Sequence, residues 1–260
     1  MPFSPSGRRC PAGRMRGRPK GAPAAPLSGA PRHLLPGGEK GSPAPPLPPP
    51  VDDRRRALDL VSVSRETAER FAVYADLLLR WQRVKNLVSP STLDAVWTRH
   101  IADSAQVQPL MPEALRWADI GSGAGFPGLV VAIMLAGRAG AHVDLVEANA
   151  RKCAFLREAA RACGAPAAVH NGRIADVLPR LHGVEVLTAR ALAPLPELLD
   201  MGKVLIDAGT TAVLLKSRDE VGDDPGLGPD HEARLLPSRT SPDGRILVVR
   251  RAVPPERPDR

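Results

Sequence analysis

The run Asp119-Ile120-Gly121-Ser122-Gly123-Ala124-Gly125-Phe126-Pro127-Gly128 constrains this chain more than any other ten residues in it. An apolar, strand-like stretch from Leu115 to Ile120 leads into an acid and a glycine-dense turn. A helical pattern, Leu129-Val130-Val131-Ala132-Ile133-Met134-Leu135, follows. Strand, glycine-rich turn and helix in that order let an open α/β sheet hold a nucleotide-like ligand at the carboxyl edge of its first strand. Glycine suits such a turn because a ligand lying against the backbone leaves no room for a Cβ. Some turn residues also need positive φ.

The pattern after this turn repeats the same logic. Strands are expected at 115–120, 142–147, 167–170, 184–189, 211–216 and 245–251, with a weaker one near 233–237; helices are expected at 127–136, 151–163, 174–181 and 195–205. In the helix 151–163, Leu156, Ala159, Ala160 and Cys163 share one face, and Gly164 stands where a helix-ending glycine belongs. Strands separated by single helices predict a mostly parallel sheet covered on both faces. The last strands lack a helical crossover, which predicts a hairpin and one antiparallel strand. Before the sheet the pattern is helical, with Phe71, Ala75, Leu78 and Leu79 on one apolar face. Pro90 interrupts it; Ser91 or Thr92 can cap the next helix, which would bury Leu93, Trp97 and Ile101.

Composition divides the chain further. Residues 1–50 hold eight of the 36 basic residues and one of the 28 acids, so the rest of the chain is nearly neutral, 28 against 27. A polyanion site on the body must therefore be local. The same 50 residues carry 14 prolines and 8 glycines and too few large apolar side chains to offset the entropy of ordering. The expected organisation is a disordered tail at 1–53, a helical region at 54–112, a ligand-binding α/β domain at 113–253 and a short tail at 254–260. The N-terminal segment reads as a solvated tail, a stretch upstream of the native start, or a basic arm touching RNA. It has no signal-peptide pattern, and no apolar run anywhere is long enough to span a membrane. Cys10, Cys153 and Cys163 show no metal spacing and read as reduced thiols, so a cytoplasmic protein without metal is expected.

Two ligand types fit the turn. Gly123-x-Gly125-x-x-Gly128 matches the dinucleotide fingerprint. Asp119-x-Gly121-x-Gly123-x-Gly125 matches the acidic-x-G-x-G-x-G loop of S-adenosylmethionine (SAM) methyltransferases. A carboxylate there suits a ligand with an ammonium and a sulfonium, and it is unfavourable beside a pyrophosphate. SAM is therefore the expected cofactor, with a dinucleotide or an empty turn as alternatives. Glu147 ends the second strand nineteen residues after Gly128 and can accept from ribose hydroxyls. Ile174 and Ala175 follow the third strand, where an adenine ring can lie on apolar side chains. Arg190 ends the fourth strand and can hold the methionine carboxylate or an RNA phosphate. Each of these has a plainer reading as a solvated or helix-entry residue.

Ahead of the sheet, Arg99 and Asp103, and likewise His100 and Ser104, are spaced i, i+4. His100 is a candidate general base, or a surface histidine near an acid. Arg80, Arg83, Lys85 and Asn86 form a basic cluster in which Trp81 either stacks a base or packs in the core.

Taken together, these motifs resemble the RsmG (GidB) family of bacterial 16S rRNA guanine-N7 methyltransferases over about residues 70–252. The resemblance rests on Arg80-Trp81 leading to Lys85-Asn86-Leu87, Arg99-His100-Ile101-x-Asp103-Ser104, the 119–128 loop, Leu145-Val146-Glu147, Arg151-Lys152-x-x-Phe155-Leu156, Arg190-Ala191 and Leu214-Leu215-Lys216. Departures are Val88 where Thr is common, Asp176 where Glu is usual and Ser217 in place of Gly. It implies a Rossmann-like, seven-stranded SAM-dependent fold, SAM contacts at Gly121, Phe126, Ile174, Ala175 and Arg190, and 16S rRNA or the small ribosomal subunit as partner of a monomer. Substrate positioning then falls to Arg99, His100, Asp103 and Lys216. Guanine N7 carries a lone pair and no proton, which favours His100 as a positioning residue over a base. Other readings are a small-molecule methyltransferase, an NAD(P) oxidoreductase and a noncatalytic RNA-binding protein.

Overall fold

The structure, a computed structural model, describes residues 52–84 and 86–252. Residues 1–51 of the expected N-terminal tail, the expected tail 254–260 and Lys85 of the basic cluster lie outside the described residues; the last two residues of the expected N-terminal tail are ordered, Asp52 capping α1 and Asp53 beginning it. Helix α1 spans Asp53–Leu60 and α2 Arg65–Gln82. A 3-10 turn, Pro90–Ala95, is followed by a π-helical stretch, Trp97–Ala102, that runs into the single turn of α3, Asp103–Ala105. The sheet elements alternate thereafter: β1 Arg116–Ile120, α4 Gly128–Met134, β2 His142–Glu147, α5 Ala150–Cys163, β3 Ala167–Asn171, α6 Ile174–Val177, β4 Val186–Arg190, α7 Leu195–Ile206, β5 Thr211–Ser217, α8 Arg218–Val221, β6 His231–Pro237 and β7 Gly244–Arg251.

The strands form one seven-stranded sheet in the order β3-β2-β1-β4-β5-β7-β6. β1 to β5 pair in parallel, and β7 runs antiparallel to both β5 and β6. This is the expected architecture with its single reversed strand. The order reverses at β1, between β2 and β4, which opens a crevice at the carboxyl ends of these strands.

Alternation along each strand sends side chains to two cores. Trp117, Val143, Leu145, Val213 and Leu215 join Phe71, Tyr74, Leu129 and Phe155 on one face. Ala118, Ile120, Val146, Leu187 and Leu214 join Leu198 and Ile206 of α7 on the other. The N-terminal helices thus share a core with the sheet. Local signals agree with this packing: Ser64 caps α2 by accepting from the Thr67 amide at 3.1 Å, and Asn149 caps α5 by accepting from Arg151 and Lys152.

Four local expectations need correction. Leu79 is exposed, and the buried stripe of α2 is Phe71, Tyr74, Ala75 and Leu78, spaced i, i+3, i+4, i+7. Thr92 does not cap a helix with its side chain; it sits inside the 3-10 turn and its hydroxyl donates to the Ser89 carbonyl at 2.8 Å. The helix expected at 174–181 is one α turn followed by a 3-10 turn at Leu178–Arg180, where Pro179 removes an amide donor. Trp81 packs edge-on against Phe155 and donates its indole N–H to Glu158, so it belongs to the α2–α5 contact rather than to a base-stacking surface. No described helix is long and apolar enough to cross a membrane.

Candidate active site

Two neighbouring structures make up the site: the glycine loop between β1 and α4, and a cleft of about 710 Å³ beside it. Within the loop, Gly123 has φ +57° and nothing but the Gly121 carbonyl, 3.7 Å away, near a built Cβ. That position is open and could face a ligand. The other glycines answer to the protein itself. A Cβ on Gly125 would lie 2.8 Å from Leu129 and 3.0 Å from the Tyr74 hydroxyl, one on Gly128 2.4 Å from Asp119, and one on Gly121 2.6 Å from Leu192. Positive φ is found at Gly121, Gly123 and Gly125, as expected for some residues of such a turn, and Gly123 is the loop glycine with open space where its Cβ would be. Tyr74 clamps the loop from α2 by donating to the Ala124 carbonyl at 2.5 Å.

Asp119 is fully buried, and among the described residues neither carboxylate oxygen has a hydrogen-bond partner. Burial pushes its pKa up to about 7 against the lowering influence of Ser122, Gly128 and Arg190. An unpartnered buried carboxylate is costly. A cationic group brought to the loop would offset that cost, which fits the ammonium and sulfonium of SAM. Glu147, at the end of β2, is already engaged: Oε2 accepts from the Gly123 amide at 2.9 Å and Oε1 from Asn149 at 2.7 Å. It braces the loop from the neighbouring strand and keeps further acceptor capacity for a ribose hydroxyl. Ile174 is half-buried against the α7 face, whereas Ala175 is exposed and lines a separate hollow of about 360 Å³ beside Met201 and Val204.

The cleft brings together Arg99, His100, Asp103, Arg190 and Lys216, from three separate segments. Arg190 organises it. One guanidinium nitrogen donates to His100 Nδ1 at 2.9 Å, the other to the Arg99 carbonyl at 3.1 Å, and Asp103 lies 3.7 Å away. The same guanidinium sits 4.9 Å from the Phe126 ring centroid, while His100 stacks on that ring at 5.0 Å and 23°. Phe126 is therefore a buried contact between loop and cleft, and Arg190 is bonded to His100 and to the Arg99 carbonyl on the cleft side.

Arg99, in the π-helical stretch, and Asp103, the first residue of α3, do not form an ion pair. Asp103 pairs with Arg190 instead, and Arg99 projects into solvent at the cleft rim without an ion-pair partner among the described residues.

Hydrogen-bond accounting settles the state of His100. Arginine has only donors, so Nδ1 must accept and the proton must sit on Nε2. Nε2–H then donates to Thr92 Oγ1 at 2.8 Å, whose own proton goes to Ser89. Burial, with Arg190 and Arg99 nearby, pushes the imidazole pKa down to about 3. His100 is neutral, and its lone pair is occupied. Lys216 has a fully buried side chain; its ammonium donates to the Ala193 carbonyl and to Glu220 at 2.9 Å.

Sequence reasoning missed Tyr74, Thr92, Gln106, Ser238 and Thr240. Only Tyr74 left a signal, as a polar-tipped aromatic on the buried stripe of α2. Among the described residues, no group of three or more His, Cys, Asp and Glu is placed to hold a metal ion.

Comparison with known proteins agrees with this geometry. Residues 67–224 match the family described as rRNA small subunit methyltransferase G. Ribosomal RNA small subunit methyltransferase G of Methylorubrum populi is 49% identical over 204 residues, 76% of this chain and 95% of the relative. The protein of the same name from Nitrobacter hamburgensis is 48% identical over 209 residues, 79% of this chain and 80% of the relative. Among solved structures, an O-methyltransferase from Bacillus cereus in complex with SAH has the same fold at 17% identity and TM-score 0.50, over 76% of this chain and 96% of that one. A cofactor-bound protein from MTB does so at 19% identity and TM-score 0.51, over 78% and 98%. The chain belongs to the rRNA small subunit methyltransferase G family.

Proposed function

We propose that this protein transfers the methyl group of SAM to N7 of a guanine in 16S rRNA, holding the cofactor on the 119–125 loop and the target base in the adjoining cleft. The observation that carries the reading is Phe126. It is part of the glycine loop, yet its ring packs on His100 and Arg190 of the cleft, so the two binding regions share a wall. Asp119 and Glu147 would hold the amino-acid and ribose ends of SAM, Gly123 the open side of the loop, and Ile174 and Ala175 the adenine. Arg99 stands free at the rim for a phosphate, and Arg190, His100, Asp103 and Lys216 shape the floor.

When bound, SAM supplies an electrophilic methyl group. Guanine N7 attacks it with an in-plane lone pair and has no proton to lose, so the chain need not provide a base. The occupied lone pair and low pKa of His100 fit that requirement. Catalysis then rests on alignment of the base with the S–CH3 bond, and such positioning is worth roughly 7–11 kcal/mol. N7 lies in the major groove, deep and narrow in A-form RNA, so the target must be in a loop or turned out of its stack. The protein would act in the cytoplasm, as a monomer.

Two measurements test this. Nucleosides of 16S rRNA from cells with and without the gene, compared by mass spectrometry, should differ by one 7-methylguanosine; an unchanged profile sinks the substrate assignment. Calorimetry should show SAM binding and no NADH binding, and the reverse result would overturn the cofactor.

A further inference from the structure

The turn between β6 and β7 enters the cleft from the far end of the sheet, beyond the residues that match the family. Its shape is set locally. The Ser238 amide donates to the Gly244 carbonyl at 2.9 Å, and a Cβ on Gly244 would lie 2.6 Å from Ser238, so glycine lets the turn close. Closure points two hydroxyls at α3. Ser238 Oγ lies 3.1 Å and Thr240 Oγ1 2.7 Å from the same oxygen of Asp103.

The direction of these bonds follows from counting. Ser238 Oγ accepts from Gln106 Nε2 at 3.1 Å and from the Thr240 amide at 3.2 Å, so its own proton goes to Asp103 at 3.1 Å or to Thr240 Oγ1 at 2.9 Å. The short Thr240 contact to Asp103 is the charge-assisted one, which sends its proton to the carboxylate. Gln106 completes the grip by accepting from the Arg239 amide at 2.6 Å. One Asp103 oxygen is thereby held by the turn, and the other faces Arg190 at 3.7 Å. The hydroxyls of the turn hold the orientation of the carboxylate, so Arg190 meets it in one fixed place.

We propose that Ser238 and Thr240 are positioning residues of the methyltransferase, acting through Asp103 to hold Arg190 and the His100 bonded to it. The inference rests on the reading of the cleft as the rRNA site. The turn joins the far edge of the sheet to a carboxylate that touches the cleft floor.

The test uses full-length protein and small ribosomal subunits from cells lacking the gene. Ser238→Ala/Thr240→Val should lower kcat/KM for subunits about tenfold or more, since small misplacements of reacting groups cost that much. SAM affinity should stay within about twofold, because the turn does not touch the 119–125 loop. Thr240→Ser, which keeps the hydroxyl, should recover most of the activity of Thr240→Val. In an Asp103→Asn background, Thr240→Val should add little, because coupled residues are non-additive. Single Ser238→Ala, read the same way, replaces the double variant if that variant does not fold. Full multiplicative losses in the Asp103→Asn background, equal losses of SAM affinity, or no rescue by Thr240→Ser would each overturn the inference. Wild-type protein that leaves these subunits unmethylated would instead remove the rRNA reading beneath it.

Discussion

The glycine loop and the cleft solve opposite problems. The loop is one continuous stretch of sequence and leaves a buried carboxylate, Asp119, without a partner among the described residues. The cleft is assembled from distant segments and pairs nearly every buried polar group it contains: Arg190 with His100 and Asp103, Lys216 with Glu220, Asp103 with Ser238 and Thr240. A site that leaves charge uncompensated can spend it on a small cationic ligand. A site whose groups are mutually satisfied offers shape and a fixed orientation, which is what alignment of a neutral nucleophile requires.

The contrast is tested most severely by glycine substitutions in the loop. Gly128→Ala would force a Cβ to 2.4 Å from Asp119. It should destabilise the fold by roughly 1–3 kcal/mol or more and abolish measurable SAM binding. Gly123→Ala should cost only the left-handed backbone strain, about 1–2 kcal/mol, while still weakening SAM binding. Thermal unfolding with and without SAM separates the two; equal loss of stability in both would mean that Gly123 is also a packing position.

Arg190→Ala comes next. It would leave His100 Nδ1, the Arg99 carbonyl and Asp103 without their shared partner. The expected result is a loss of roughly 100-fold in kcat/KM for subunits, with SAM affinity within about threefold. A parallel collapse of SAM affinity would return Arg190 to the cofactor's carboxylate and blur the division between the two regions.

A smaller effect separates two substitutions of His100. Asparagine places an oxygen near the position of Nδ1 and can still accept from Arg190, whereas glutamine reaches the Nε2 position and cannot. His100→Asn should therefore retain more activity than His100→Gln, the difference being one charged hydrogen bond, roughly 1.5–3 kcal/mol. Single-turnover rates at saturating substrate should show no limb near ~6.5, the ordinary histidine value, because the folded pKa is about 3. A wild-type limb there that disappears in His100→Gln would make His100 a base.

The smallest effect is on stability against pH in the absence of SAM. The Asp119 pKa rises from 3.8 to about 7 on folding, so the folded state holds the extra proton and its stability falls as pH rises through that window. His100 is depressed from 6.5 to about 3 and works the other way: its contribution is present above 6.5 and lost as pH falls toward 3. The two slopes oppose each other between about pH 4 and 6.5. Asp119→Asn should remove one of them, so that the Tm of the variant climbs with pH across this range more steeply than that of the wild type. Superimposable Tm profiles would show that Asp119 is already ionised in the folded protein.

The sequence by itself determined the sheet, the loop and the order of elements. Each of these depends on short-range patterns: the apolar run of β5, the helical stripe of α5, the glycines between β1 and α4. It also marked Arg99, His100, Asp103, Arg190 and Lys216 as chemical groups worth attention. What it did not contain was their grouping. The i, i+4 spacing put Arg99 and Asp103 on neighbouring faces, whereas the partner of Asp103 is Arg190 at the end of β4; the strand-end position of Arg190 left a methionine carboxylate and an RNA phosphate both open, and only the fold shows its bond to His100. Ser238 and Thr240 meet Asp103 across more than 130 residues, and no local spacing records such a contact. Hydrophobic period and backbone conformation are properties of neighbours in sequence. Pairing of buried polar groups is decided only when the packed sheet brings donors and acceptors within 3 Å or so of one another.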